Sequence, residues 1–72
     1  MAVLMHLDNP AEFSVYVDGD VRAHILKEGL AWILRPTNRP SDALDVTPVI
    51  NHHDELAPRV LAHLGQVADR QR

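Results

Sequence analysis

Five histidines fall in a chain of 72 residues, and three of them, His52, His53 and His63, stand with Asp54 in its last third. Imidazole nitrogens beside a carboxylate are the ligand set of a divalent-metal site. The spacing argues against one here. On a helix His52 and His63 would share a face but lie three turns, about 16 Å, apart, too far to hold one ion together. His53 and His63 point to different faces. The motif His-Glu-x-x-His is absent, because His53 is followed by Asp54-Glu55-Leu56-Ala57. These histidines read as the solvated start of a helix, and no metal ligand is assigned. Protonated there, they would oppose the helix dipole, so acid is expected to loosen this end.

Other catalytic chemistry has even less to stand on. Ser14 and Ser41 are the only serines, and neither lies in a nucleophile-elbow pattern. Asp18 and Asp20 flank Gly19 as turn residues and lack the later ligands of a calcium loop. The chain has three isolated glycines, and neither a P-loop nor a dinucleotide fingerprint. No catalytic or cofactor-binding residue is assigned, no cofactor is implied, and the expectation is a protein that is not an enzyme.

Binding chemistry is better represented. Trp32 is the only tryptophan and Tyr16 the only tyrosine, while Arg35 and Arg39 bracket Pro36-Thr37-Asn38. Tryptophan, tyrosine and arginine are the side chains that anchor protein interfaces. The same residues could stack on bases and contact phosphates. Charge opposes that second use. The net charge is −3; residues 1–36 carry three basic and five acidic side chains, and residues 37–72 four and five. With no basic block in either half, nucleic acid is not the favoured partner.

Positioning these side chains falls to a few short elements. Ala2–Leu7 is an apolar run closed by the turn signal Asp8-Asn9-Pro10, and reads as an N-terminal arm or an edge strand. Phe13–Val17 and Val21–Ile25 alternate as half-buried strands do. Closing them through Asp18-Gly19-Asp20 sets Val17 against Val21, Val15 against Ala23 and Phe13 against Ile25. A three-residue turn at Lys27-Glu28-Gly29 then pairs Leu26 with Leu30, His24 with Trp32 and Arg22 with Leu34. This register assigns Phe13, Val15, Val17, Val21, Ala23, Ile25, Ala31 and Ile33 to one face. Tyr16, Leu26, Leu30, Trp32 and Leu34 fall on the other, with Ser14, Arg22 and His24. A competing reading caps a helix with Asp20 and runs it through Ala23, Leu26, Leu30 and Ile33, with Gly29 an unfavourable residue in its middle.

Residues 36–47 read as a loop rich in proline and turn formers. A short edge strand within Asp45–Asn51 would be limited by Pro48. Residues 54–70 carry the clearest helical pattern. Ala57, Val60, Leu61, Leu64, Val67 and Ala68 form one apolar stripe, His53 or Asp54 stands at the cap position, and Pro58 lies near the start.

At 46% hydrophobic the composition is that of a folded protein, and a chain this short forms at most one small domain with a marginal core. It has no cysteine, so disulfides and thiolate zinc sites are unavailable to it. No run approaches the ~20 apolar residues of a membrane span, and the N-terminus has no cationic segment of a signal peptide. No membrane partner is expected, and a cytoplasmic location is.

The fold expected is α+β: a small antiparallel β-meander of three to four strands with one C-terminal α-helix packed on a face. Such a meander is apolar on both faces, and one helix covers only one. The uncovered face is expected to meet a larger protein. The partner-binding surface assigned from sequence comprises Val3, Leu4, Met5, Leu7, Tyr16, Trp32, Arg35 and Arg39. The function expected is that of a non-enzymatic regulator that binds a larger protein. In a narrower form it is a modulator encoded by a phage or mobile element that inhibits a host machine such as RNA polymerase. The alternative is a dimeric DNA-binding transcriptional regulator or antitoxin, in which the sheet mediates homodimerisation and the arginine loop meets phosphates.

Overall fold

A computed structural model describes residues 2–70. Five strands follow one another in sequence and in space: β1 (Val3–Asn9), β2 (Glu12–Val17), β3 (Asp20–Glu28), β4 (Ala31–Pro36) and β5 (Leu44–Asp45). Every neighbouring pair is antiparallel. A short 3₁₀ turn at Thr47–Val49 leads to one helix, α1 (His53–Arg70). The protein is thus α+β, a five-stranded meander followed by a C-terminal helix. Residues 20–34 form strands and not a helix. Among the described residues, no helix is long and apolar enough to cross a membrane.

The β2–β3 hairpin turns on two residues rather than three. Asp18 takes φ 52° and Gly19 φ 89°, the pair of positive angles that a tight primed turn needs. Val15 faces Ala23 and Phe13 faces Ile25 as the alternation predicts, but Val17 faces Asp20 and Tyr16 faces Val21. A bulge between the two stretches absorbs the extra residue, and Val21 is left exposed.

At the next turn the register differs by three residues, His24 facing Arg35 where the sequence reading sets it against Trp32. Gly29 (φ 66°) and Leu30 form a two-residue loop, so Glu28 faces Ala31, Leu26 faces Ile33 and Ile25 faces Leu34. A slip by any odd number of residues exchanges the faces of a strand. Leu34 therefore lies in the core, Trp32 is on the core side, and Ile33 turns to the opposite face. This reverses the facing read from sequence for all three. Leu30 sits at the turn tip, 94% exposed.

The core is built from Val15, Ala23, Ile25 and Leu34 of the sheet and Leu56 and Val60 of the helix. Val46 and Val49 close it from the segment between. Val3, Met5, Phe13 and Trp32 pack around its rim, and the Phe13 and Trp32 rings lie 5.5 Å apart with their planes tilted by 58°. Leu56, absent from the apolar stripe read off the sequence, is fully buried, whereas Ala68 is exposed. The His52 carbonyl accepts the N–H groups of Glu55 and Leu56, which makes position 52 the cap rather than 53 or 54.

The segment read as a loop over 36–47 contains β5. Leu44 and Asp45 pair with Leu34 and Ile33. Pro48 lies in the 3₁₀ turn, where its missing N–H costs nothing. Asp42 ties this segment to the helix. Its carbonyl accepts the His63 Nε2–H at 2.6 Å, and its Oδ1 accepts from Arg70 at 3.3 Å.

Candidate binding surface

The helix covers one face of the sheet and leaves the other without a cover among the described residues. Strand parity fixes what that open face displays: Leu4 and His6 from β1, Ser14 and Tyr16 from β2, His24 and Leu26 from β3, and Ile33 and Arg35 from β4. Leu4 is 66% exposed, and Tyr16, His24, Leu26, Ile33 and Arg35 are each half-buried by their cross-strand neighbours. The surface is thus apolar, with aromatic and charged residues set into it.

Its polar centre joins three elements. Ser14, the only buried polar residue among the described residues, donates its hydroxyl to Asp8, and His24 Nδ1 lies 3.4 Å from the same oxygen. His6 Nε2 stands 3.8 Å from the other Asp8 oxygen. Glu12 reaches the same spot, so Asp8, Glu12 and His24 could each offer one ligand atom, all within 4.8 Å of one another. This grouping escaped the sequence reading. A serine, a histidine and a carboxylate also make a nucleophilic triad, but the order here is wrong for one. In a triad the histidine stands between serine and carboxylate and takes the hydroxyl proton. Here Ser14 stands in the middle and its proton already goes to Asp8. The carboxylates have structural work as well: Glu12 accepts from Asn9, whose own side-chain oxygen caps the Ala11 N–H in the β1–β2 turn. The cluster ties the turn to the sheet.

Of the residues assigned from sequence, Leu4, Tyr16 and Arg35 share the open face. Val3 and Met5 lie on the other side of β1 against the core, and Trp32 joins Phe13 there. Leu7 is on that side too but extends beyond the packed core, 55% exposed.

The arginines are engaged within the chain. Arg35 forks onto Glu28, with Nε and Nη2 at 3.0 and 3.1 Å from its two oxygens, and donates a third bond to the Pro40 carbonyl. The Arg35 hydrogen bond, with its charge, holds the Glu28 carboxyl below its ordinary value and raises the guanidinium in turn. Arg39 Nε lies 3.1 Å from Asp42 Oδ2, an ion pair without hydrogen-bond alignment.

A second concavity of about 570 Å³ opens between the β2–β3 turn and the later half of the helix, lined by Val17, Val21, Arg22, Leu61, Leu64 and Gly65 among others. Comparison with protein-family models, with curated proteins and with solved structures finds no match to this chain.

Proposed function

We propose that this protein is a non-enzymatic binding module that docks on a larger protein through the open face of its sheet. One observation carries the reading: an uncovered sheet face on which Leu4, Tyr16, Leu26 and Ile33 lie among His6, His24 and Arg35. Apolar surface rimmed by polar groups is what protein interfaces bury. Arg35 arrives already oriented by Glu28, so little side-chain freedom is lost when a partner docks. The rival reading, binding to nucleic acid, needs Arg35 and Arg39 for phosphates, and both are paired with carboxylates. In the narrower form of this proposal, the partner is a host machine such as RNA polymerase.

Affinity capture with wild type, Tyr16→Asp and Gln66→Asp tests the proposal. Gln66 is exposed on the helix, away from the open face. The expected result is a protein retained by wild type and by Gln66→Asp, lost with folded Tyr16→Asp, and little affected by added salt. Retention by all three would overturn the placement of the site. Retained nucleic acid that is released steeply as salt rises would favour the rival.

A further inference from the structure

The first strand offers a second kind of surface, its free edge. Strand order places β1 at one border of the sheet, with only β2 beside it among the described residues. The opposite border ends in the two-residue β5. Exposed edges in natural proteins are usually blunted by lysine, proline or an inward charge. Residues 2–7, Ala-Val-Leu-Met-His-Leu, carry none of these. The register shift between Leu7 and Asn9 marks where the regular edge stops.

Backbone hydrogen bonds show which groups point outward. The Ala2 carbonyl accepts from Asp18 N–H, and so points toward β2. Alternate residues of a strand face alternate sides, so Leu4 and His6 also bond inward, while Val3, Met5 and Leu7 present N–H and C=O to the outside. The other side of β2 agrees. Ala11 C=O accepts from Lys27 of β3, so Phe13 and Val15 face β3, and Ser14 and Tyr16 face β1, opposite His6 and Leu4.

We propose that this edge pairs with the same edge of a second copy, antiparallel about a two-fold axis at Met5. A hydrogen-bonded antiparallel pair needs two residues that both point outward, and it exchanges two bonds. With the axis at Met5, Met5 meets its own counterpart, Val3 meets Leu7 and Leu7 meets Val3. All six outward donors and acceptors on each strand from Val3, Met5 and Leu7 are then used. An axis at His6 would leave Val3 opposite Asn9, past the bulge. The side chains suit the Met5 register. Val3, Met5 and Leu7 form one apolar row on the core side, which covers the exposed flank of Leu7. On the open side Leu4 sits opposite His6. Asp8 falls opposite Ala2, so no like charges meet. The axis stands perpendicular to the sheet, so both helices lie on one side and the two open faces join into one surface. A symmetric closed dimer also removes the unpaired edge.

Sedimentation equilibrium and engineered cysteines test this without reference to the open face. At roughly 100 µM the wild type should weigh twice its 8.1 kDa and should dissociate on dilution. Leu7→Pro removes an outward N–H and an exposed side chain, so the protomer keeps its own hydrogen bonds. It should raise the dimer dissociation constant by at least roughly tenfold. Because the chain has no cysteine, a single one reports the axis directly. Paired Cα atoms at a hydrogen-bonded position lie about 5.5 Å apart, within disulfide reach. Met5→Cys should cross-link on mild oxidation, and His6→Cys, two rungs out of line with its counterpart, should not. A single-chain mass at every concentration would overturn the proposal. So would a dimer in which His6→Cys cross-links and Met5→Cys does not. If Leu7→Pro fails to fold, the cysteine pair still decides.

Discussion

A single hydroxyl proton sets how the polar centre of the open face is wired. Ser14 gives it to Asp8, so the oxygen near His24 has no proton left to surrender to that imidazole. Asp8, Glu12, Ser14 and His24 come from β1, the head of β2 and β3. Their meeting depends on strand register, which no local spacing announces, whereas the grouping visible in the sequence is that of His52, His53 and Asp54. Another hydroxyl has clearer consequences. Thr47 Oγ accepts the Trp32 backbone N–H at 2.8 Å, and Thr47 also bonds Asp45 through its side chain and its own N–H. Those bonds, the side-chain one first, hold the Asp45 carboxyl below its ordinary value. A depressed carboxylate contributes stability above its unfolded pKa and loses it as pH falls through the folded value. Thr47→Val keeps the backbone bond but not the other. It should cost about 1 kcal/mol at neutral pH, from the lost acceptor of Trp32 N–H. It should also raise the Asp45 titration midpoint seen by NMR and shrink the share of stability lost in acid. An unchanged midpoint would mean that the backbone bond alone sets it.

Elements were more legible than the turns that join them. Alternation in Phe13–Val17 and Val21–Ile25, and the helical stripe from Val60 to Val67, each identify an element, and burial follows the pattern except at Val21, exposed beyond the bulge. Asp18-Gly19-Asp20 suits two- and three-residue loops alike, an ambiguity of one residue, and Lys27-Glu28-Gly29 does not announce that the second turn falls at Gly29-Leu30, three residues out in register. At the first turn a bulge repaired the difference; at the second nothing did, and β4 exchanged its faces. Glycines at two places let these assignments be checked in opposite directions. Gly29 has φ 66°, and a methyl group added there would meet nothing within 4 Å. Gly29→Ala should therefore destabilise by about 1 kcal/mol through backbone conformation alone. Gly65 lies within the helix, exposed, again with nothing within 4 Å of the added carbon. Gly65→Ala should stabilise by about 1 kcal/mol, since alanine gives up less freedom in a helix. Chemical denaturation of the two variants beside wild type measures both signs. A destabilising Gly65→Ala would point to a use for the groove it lines that requires the helix to yield there.

For the whole molecule, the consequence of these registers is a sheet with two unlike faces and a thin core. A chain of this length keeps only a small margin of stability, on the order of 0.1 kcal/mol per residue. Adjacent residues of β4 probe the two faces separately. Leu34 is buried between the sheet and the helix, whereas Ile33 is half-buried on the open face opposite Leu26. Truncating a buried leucine to alanine typically costs 2–5 kcal/mol, and a carboxylate there adds the cost of an unpaired charge. Leu34→Asp should thus abolish the cooperative thermal transition. Ile33→Asp places its charge where water reaches it, beside the Arg35 and Glu28 pair. It should lower stability by only about 1 kcal/mol and keep the circular dichroism of the fold. The opposite ranking would restore the facing first read from the sequence, with Ile33 inside and Leu34 outside. A large loss in both would mean that the open face is covered in the free protein, as a dimer closing face to face would cover it. Joining at the β1 edge leaves that face in water, so a mild Ile33→Asp and a severe Leu34→Asp are what edge pairing requires as well.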